Sequence, residues 1–214
     1  MGPVVSRSRY AGFIGGFGLL LVVVVLVSTL LGSSDEAAGI APGGKLAPFA
    51  VPLVLSDLPG DANIATRAHQ GQAGNVPACS VRGAQILNVC QLAEQGPVVL
   101  ALFVDGGSCA AILADMQAIA PAFPGVRFAA VAIGADRSQL RRLVRSRHLS
   151  LPVGIDKDGA LASLYKVVSC PQVNFAYPGG VVQSKALLSN PTRASLRVRV
   201  TELVVASRVR GWRG

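Results

Sequence analysis

From Pro97 to Met116 the chain reads PVVLALFVDGGSCAAILADM, an apolar run that breaks at two glycines and resumes with a different period. Val98 to Val104 is a short, continuous stretch of β-forming and apolar residues, the pattern of a strand buried on both faces. Gly106 and Gly107 end it. From Ala110 onward Ile112, Leu113, Met116, Ile119 and Ala120 recur at the three-to-four spacing of an amphipathic helix. A buried strand feeding a helix is the unit of a layered α/β domain, and it leaves one thiol, Cys109, at or just before the first helical turn. Unpaired N–H groups and the helix dipole favour negative charge there, so the thiol is drawn toward a nucleophilic thiolate. A buried, inert cysteine is the other reading, and this stretch alone leaves both open.

The chain is 214 residues long, room for one ordinary domain with appendages. Hydrophobic residues make up 51% and mean hydropathy is +0.50, high values that trace largely to the first 32 residues. Ala11 to Gly32 carries no charge over 22 residues, and at ~1.5 Å per residue it reaches ~33 Å, enough for a bilayer core. Arg7 and Arg9 precede it and Asp35 and Glu36 follow. The positive-inside rule therefore predicts a single-pass protein of the cell membrane, with residues 1–10 a cytoplasmic tail, 11–32 the transmembrane anchor in the lipid bilayer, and the soluble domain extracytoplasmic. A cleaved signal peptide competes with this, but the apolar run exceeds the usual ~7 to 15 residues and no clean A-x-A site follows. No cysteine near its end supports a lipoprotein anchor.

Residues 33–48 are small, polar and glycine-rich, the composition of a flexible linker. Residues 49–95 form an extension ahead of the α/β domain proper, 96–208, and 209–214 are a basic tail. In the extension, Phe49 to Leu55 contains Pro52 and is at best an edge strand. Ser56 to Asn75 reads as loop, and Ile86 to Leu92 fits a short strand or a helix equally. After the Cys109 helix, Pro121 and Pro124 mark its end and Val126 to Ile133 reads as a second buried strand. Ser138 to His148 is predicted to be a surface helix, Pro152 to Ile155 a short strand, and Ala160 to Tyr165 a helix after the turn Asp156 to Gly159. Alternating strands and helices give right-handed crossovers and a parallel sheet. Val173 to Ala176 and Val181 to Ala186 are expected to close an antiparallel hairpin at the other edge. A final helix is expected from an Asn190 cap and Pro191 to about Ser207.

The net charge is +9, with arginines clustered at 137, 141, 142, 145 and 147 and again at 193, 197, 199, 208, 210 and 213. A domain facing outward is a poor nucleic-acid partner, so no nucleic acid is expected. Anionic lipid headgroups and plain solvation are the two accounts of these arginines.

All four cysteines, Cys79, Cys90, Cys109 and Cys170, follow the predicted span, and an even count in an oxidising compartment suggests bridges. Cys79 and Cys90 enclose ten residues including Gly83, and a structural bridge there would contribute ~3 kcal/mol by loop entropy. Their spacing matches no known dithiol motif.

Three segments together, Pro97 to Met116, Gly154 to Pro171 (GIDKDGALASLYKVVSCP) and Tyr177 to Gly180 (YPGG), resemble redoxins of the thioredoxin superfamily. The likeness is strongest to membrane-anchored thiol-disulfide oxidoreductases of the TlpA type, whose domain is also described as AhpC/TSA-like. APFAVPLVL resembles the entry segment of the same proteins. The resemblance covers about half the chain. It implies a thioredoxin-like α/β sandwich, a central mixed sheet flanked by helices, preceded here by one N-terminal transmembrane helix. It implies oxidoreductase activity on protein thiols or disulfides, as in antioxidant defence and cell redox homeostasis, with the electron donor unspecified. Cys109 matches the first cysteine of the family's CxxC motif, after one extra loop residue, but the second position is Ile112. In the implied fold the residue before a cis-proline lies against the active-site cysteine, and here Cys170 directly precedes Pro171. The resemblance therefore implies Cys109 as attacking thiol and Cys170 as resolving one, with a locked link or a buried packing role as the alternatives.

Other chemistries find less support. His69 and His148 lie in unrelated segments, no CxxC or HExxH spacing occurs, and phosphate loops and GxSxG elbows are absent, so neither cofactor nor metal is expected. Peroxiredoxins share the fold, but their PxxxTxxC motif meets Leu102 and Gly106 here, which makes a thiol peroxidase a weaker reading. Asp105 is a candidate local base or a solvated loop carboxylate. A redoxin fold without turnover, serving as a scaffold at the membrane, is the other function class.

Overall fold

The computed structural model describes residues 38–188 and 191–214. The predicted span 11–32 and the predicted cap Asn190 lie outside these residues. Among the described residues no helix is long and apolar enough to cross a membrane.

Among the described residues twelve strands and α-helices follow one another: β1 (Ala50–Pro52), β2 (Ile86–Asn88), α1 (Val89–Gln95), β3 (Val98–Phe103), α2 (Ala111–Ile119), β4 (Arg127–Ile133), α3 (Arg137–Ser146), β5 (Val153–Asp156), α4 (Ala160–Leu164), β6 (Gln172–Ala176), β7 (Leu187–Leu188) and α5 (Arg193–Val209). One-turn 3-10 helices, Ala78–Ser80 among them, punctuate the loops. The central sheet has the order β5-β4-β3-β6-β7. Strands β3, β4 and β5 run parallel, while β6 and β7 run antiparallel to their neighbours. This is the mixed sheet expected, and it follows from short αβ crossovers on one side of β3 and a return loop on the other.

The period-two pleat divides the core into two layers. Val99, Ala101 and Phe103 of β3, with Phe128, Ala130 and Ala132 of β4, face α2, α3 and α5. Val98, Leu100 and Leu102, with Ala129, Val131 and Ile133, face α1, α4 and the β1-β2 ribbon. Every residue of β3 is buried, which is why it reads as an unbroken apolar run rather than an alternating one.

Ile86 to Leu92 resolves the strand-or-helix ambiguity by being both. Asn88 ends β2 and caps α1, accepting from the Cys90 and Gln91 N–H groups at 2.9 and 3.1 Å. Strand β1 pairs with β2 and hands on to the edge of the main sheet, where the Val54 N–H donates to the Val153 carbonyl at 2.8 Å. Contact there is close enough that a Cβ on Gly154 would sit 2.3 Å from Val51 Cγ2, so any side chain at that position of β5 forces Val51 to move.

Four expectations change. The predicted flexible linker 33–48 is, from Ala38 on, docked against the domain: Leu46 is buried, its N–H donates to the Gly180 carbonyl, and the Tyr165 hydroxyl donates to the Ala47 carbonyl at 2.7 Å. Hydrogen bonding of its backbone outweighs its small, polar composition. The hairpin strand Val181 to Ala186 is broken. Ala176 faces Val182, but Val173 faces Leu187, so the second strand carries two extra residues and its regular part shifts to Leu187–Leu188. The last helix is capped by Thr192, whose side chain accepts from the Ser195 N–H at 3.1 Å, and it runs to Val209 rather than Ser207. The tail 209–214 is thereby entered by the helix, and Trp212 folds back against the core. Finally, two arginines of the surface helix are ties, not a free basic face. Arg137 donates to the Ser56 carbonyl at 3.0 Å and Arg141 Nε to the Val54 carbonyl at 2.9 Å, with Arg141 Nη2 also donating to the Ser56 carbonyl.

Candidate functional site

Register brings the two candidate cysteines together. Leu102 of β3 faces Gln172 of β6 in an antiparallel pair, so the residue two beyond Leu102 stands opposite the residue two before Gln172. Those residues are Val104 and Cys170, and the Val104 N–H donates to Cys170 Sγ at 3.2 Å. The loop from Val104 then turns at Gly106 and Gly107, both at positive φ, and returns Cys109 to the same end of the sheet. Cys109 and Cys170 are paired, with Cα atoms 5.4 Å apart across 61 residues of sequence. That separation is within the range a disulfide spans. The Cys170–Pro171 peptide bond is cis.

Both sulfur-bearing residues are half-buried, with Ser108, Gly106 and Gly107 exposed beside them. Cys109 sits two residues before the first residue of α2, at the positive end of that helix's dipole. The guanidinium of Arg147, at the end of α3, donates to the carbonyl of Ala110, next to Cys109, at 3.0 Å. This places an arginine beside the cysteine loop that no local motif announced, because α3 lies a crossover away. Ile112, at the position a CxxC motif would give to cysteine, is buried in the core. Asp105 is half-buried in the loop and makes no side-chain hydrogen bond among the described residues.

Beside Cys170 opens a cleft of about 340 Å³ whose walls include Phe103, Val104, Ile133, Val167 and Val168. Val104 and Val168 are 46% and 66% exposed, so the rim of the site is apolar. Val104, expected from its apolar run to end the buried strand, lies just beyond β3 and is exposed, and nothing in the sequence distinguishes Val168, since exposure of an apolar side chain is set by the fold.

The second pair, Cys79 and Cys90, joins the 3-10 turn Ala78–Ser80 to the first turn of α1, with Cα atoms 5.4 Å apart. Asn88 Nδ2 donates to the carbonyls of Ala78 and Val81 at 2.9 and 2.8 Å, so the same side chain that caps α1 also holds the loop the bridge closes. Arg82 donates to both oxygens of Glu94 at 2.7 and 2.6 Å across the same loop. The bidentate contact raises Arg82 and holds Glu94 below the usual carboxylate range.

No protein-family model and no curated relative matches the sequence. Solved structures do. One provisionally described as a thiol:disulfide interchange protein DsbE, from Chlorobium tepidum, superposes with a TM-score of 0.57 at 15% identity, over 78% of this chain and 98% of its own. An uncharacterised conserved protein from Geobacillus kaustophilus gives 0.57 at 12%, over 79% and 85%. The thioredoxin domain of a thiol-disulfide oxidoreductase from Bacteroides vulgatus gives 0.51 at 12%, over 77% and 99%. At these identities the likeness establishes the fold: the described residues adopt a thioredoxin-like α/β architecture.

Proposed function

We propose that this chain is a thiol-disulfide oxidoreductase acting on protein cysteines, with Cys109 as nucleophile and Cys170 as resolving thiol. The observation that carries the reading is the pairing of Cys109 with the residue before the cis-proline, at the mouth of an apolar cleft. In the reducing direction the Cys109 thiolate attacks one sulfur of a substrate disulfide. A mixed disulfide forms and the first substrate thiolate leaves. The Cys170 thiolate then attacks Cys109 Sγ, the second substrate thiolate departs, and both take up protons. Two electrons have passed from the dithiol to the substrate, and the Cys109–Cys170 disulfide remains. Run backwards, the same steps oxidise a substrate dithiol. The exposed valines offer an extended polypeptide an apolar surface beside the sulfur.

The test is trapping. Cys170→Ser is expected to accumulate mixed disulfides with protein substrates through Cys109, while Cys109→Ser forms none and loses insulin reduction. Absence of mixed disulfides in both variants, together with a pair potential below about −300 mV, would assign the bridge a locked structural role.

The reading includes a membrane address. Residues 11–32, uncharged and preceded by Arg7 and Arg9, support an anchor that leaves the domain outside the cytoplasm. Protease added to intact spheroplasts is expected to digest the domain, and full protection would overturn the orientation.

A further inference from the structure

Away from the cysteines, three carboxylates meet where the N-terminal extension crosses the end of β5. Asp156 is the last residue of β5, Asp158 lies in the turn into α4, and Asp61 comes from the loop that follows β1. One oxygen of each lies within 4.8 Å of the other two.

Backbone donors hold all three in place. Asp61 Oδ1 accepts from the N–H groups of Ala62 and Lys157 at 2.8 and 2.6 Å, and its Oδ2 accepts from Asp158 at 3.0 Å. Asp156 Oδ2 accepts from the Leu161 N–H at 2.9 Å, and Asp158 Oδ1 from that of Ala160 at 3.0 Å. An ionised carboxylate has about four acceptor sites, so these bonds orient the groups without exhausting them. Asp156 is fully buried, and its Oδ1 has no hydrogen-bond partner among the described residues.

In a chain of net charge +9, Asp57, Glu94, Asp115 and Glu202 each have an arginine within 4 Å. No member of the three-aspartate cluster has one among the described residues, nor do Asp105 and Asp136, both less buried than Asp156. A buried carboxylate with neither a donor nor a counter-charge on one oxygen is costly, and two neighbouring carboxylates add repulsion.

We propose that Asp61, Asp156 and Asp158 form a binding site for a hard divalent cation, Ca²⁺, which ties the N-terminal extension to the central sheet. All-oxygen ligation selects a hard ion. Ca²⁺ accepts an irregular shell of carboxylates and water, whereas Mg²⁺ demands a near-ideal octahedron. Asp158 is exposed, so water completes the coordination from that side. No ligand spacing in the sequence announces the site, because Asp61 reaches the other two only through the docking of β1 on β5.

The full-length chain, purified in detergent, stripped with EGTA and titrated with CaCl2 at constant ionic strength, tests this. Saturable binding of one Ca²⁺ per chain is expected by calorimetry, with a dissociation constant of ~1 mM or tighter and weaker binding of MgCl2. The amide resonances of Lys157, Asp158, Ala160 and Leu161 should move with it. Asp158→Asn keeps an acceptor for the Ala160 N–H and should weaken Ca²⁺ binding at least ~10-fold. No saturable binding, binding unchanged in Asp158→Asn, or shifts confined to other residues would overturn the site. The resonance map on unaltered protein decides the question even where the variant does not fold.

Discussion

At the scale of single residues, Asn88 does more than its type suggests. A side chain 2% exposed makes four hydrogen bonds: two cap α1, and two fix the loop that Cys79 and Cys90 close. Asn88→Ala removes the cap and leaves buried carbonyls without donors, a loss of about 3 kcal/mol. Urea unfolding of the oxidised protein should show it as a lower midpoint at unchanged slope. The cysteines differ in how much of their placement the sequence carried. Cys109 was located by local pattern alone, since a strand, two glycines and a helical period surround it. Its pairing with Cys170 came only through resemblance, because it depends on β6 lying beside β3. Asp61, Asp156 and Asp158 had no pattern at all: the turn Asp156 to Gly159 was legible, but nothing local couples it to Asp61.

Elements separate into those fixed by period and those fixed by neighbours. Strands β3 and β4 and helix α2 sit within a residue or two of where hydrophobic spacing puts them, as burial on both faces leaves one solution. Strand β7 did not, since two extra residues between Val182 and Leu187 alter the register without altering composition. The start of α5 moved for a similar reason: Asn190 and Thr192 are both acceptable caps, and the bond from the Ser195 N–H selects Thr192. The β1-β5 contact yields a prediction at this scale. Gly154→Ala pushes a methyl group into Val51, a fully buried side chain. The expected cost is about 1–3 kcal/mol, and thermal unfolding should register it while the cysteine pair still closes under oxidising conditions.

Across the whole molecule, the register that sets Val104 opposite Cys170 makes the dithiol a property of the tertiary fold rather than of a local motif. In a CxxC pair the two sulfurs remain near each other when the chain unfolds, so their effective concentration changes little. Here 61 residues separate them, and unfolding disperses them. A thermodynamic cycle then binds two measurements together: the tendency of the folded chain to hold the disulfide must exceed that of the unfolded chain by the stability gained on oxidation. Closing a loop of this length is worth ~4 kcal/mol on the loop-entropy model. Cys109–Cys170 oxidised protein should therefore outlast its dithiol form in denaturant, with the Cys79–Cys90 bridge intact in both. Each turnover would loosen and tighten the domain, so that a redox partner meeting the reduced form encounters a measurably softer protein than one meeting the oxidised form.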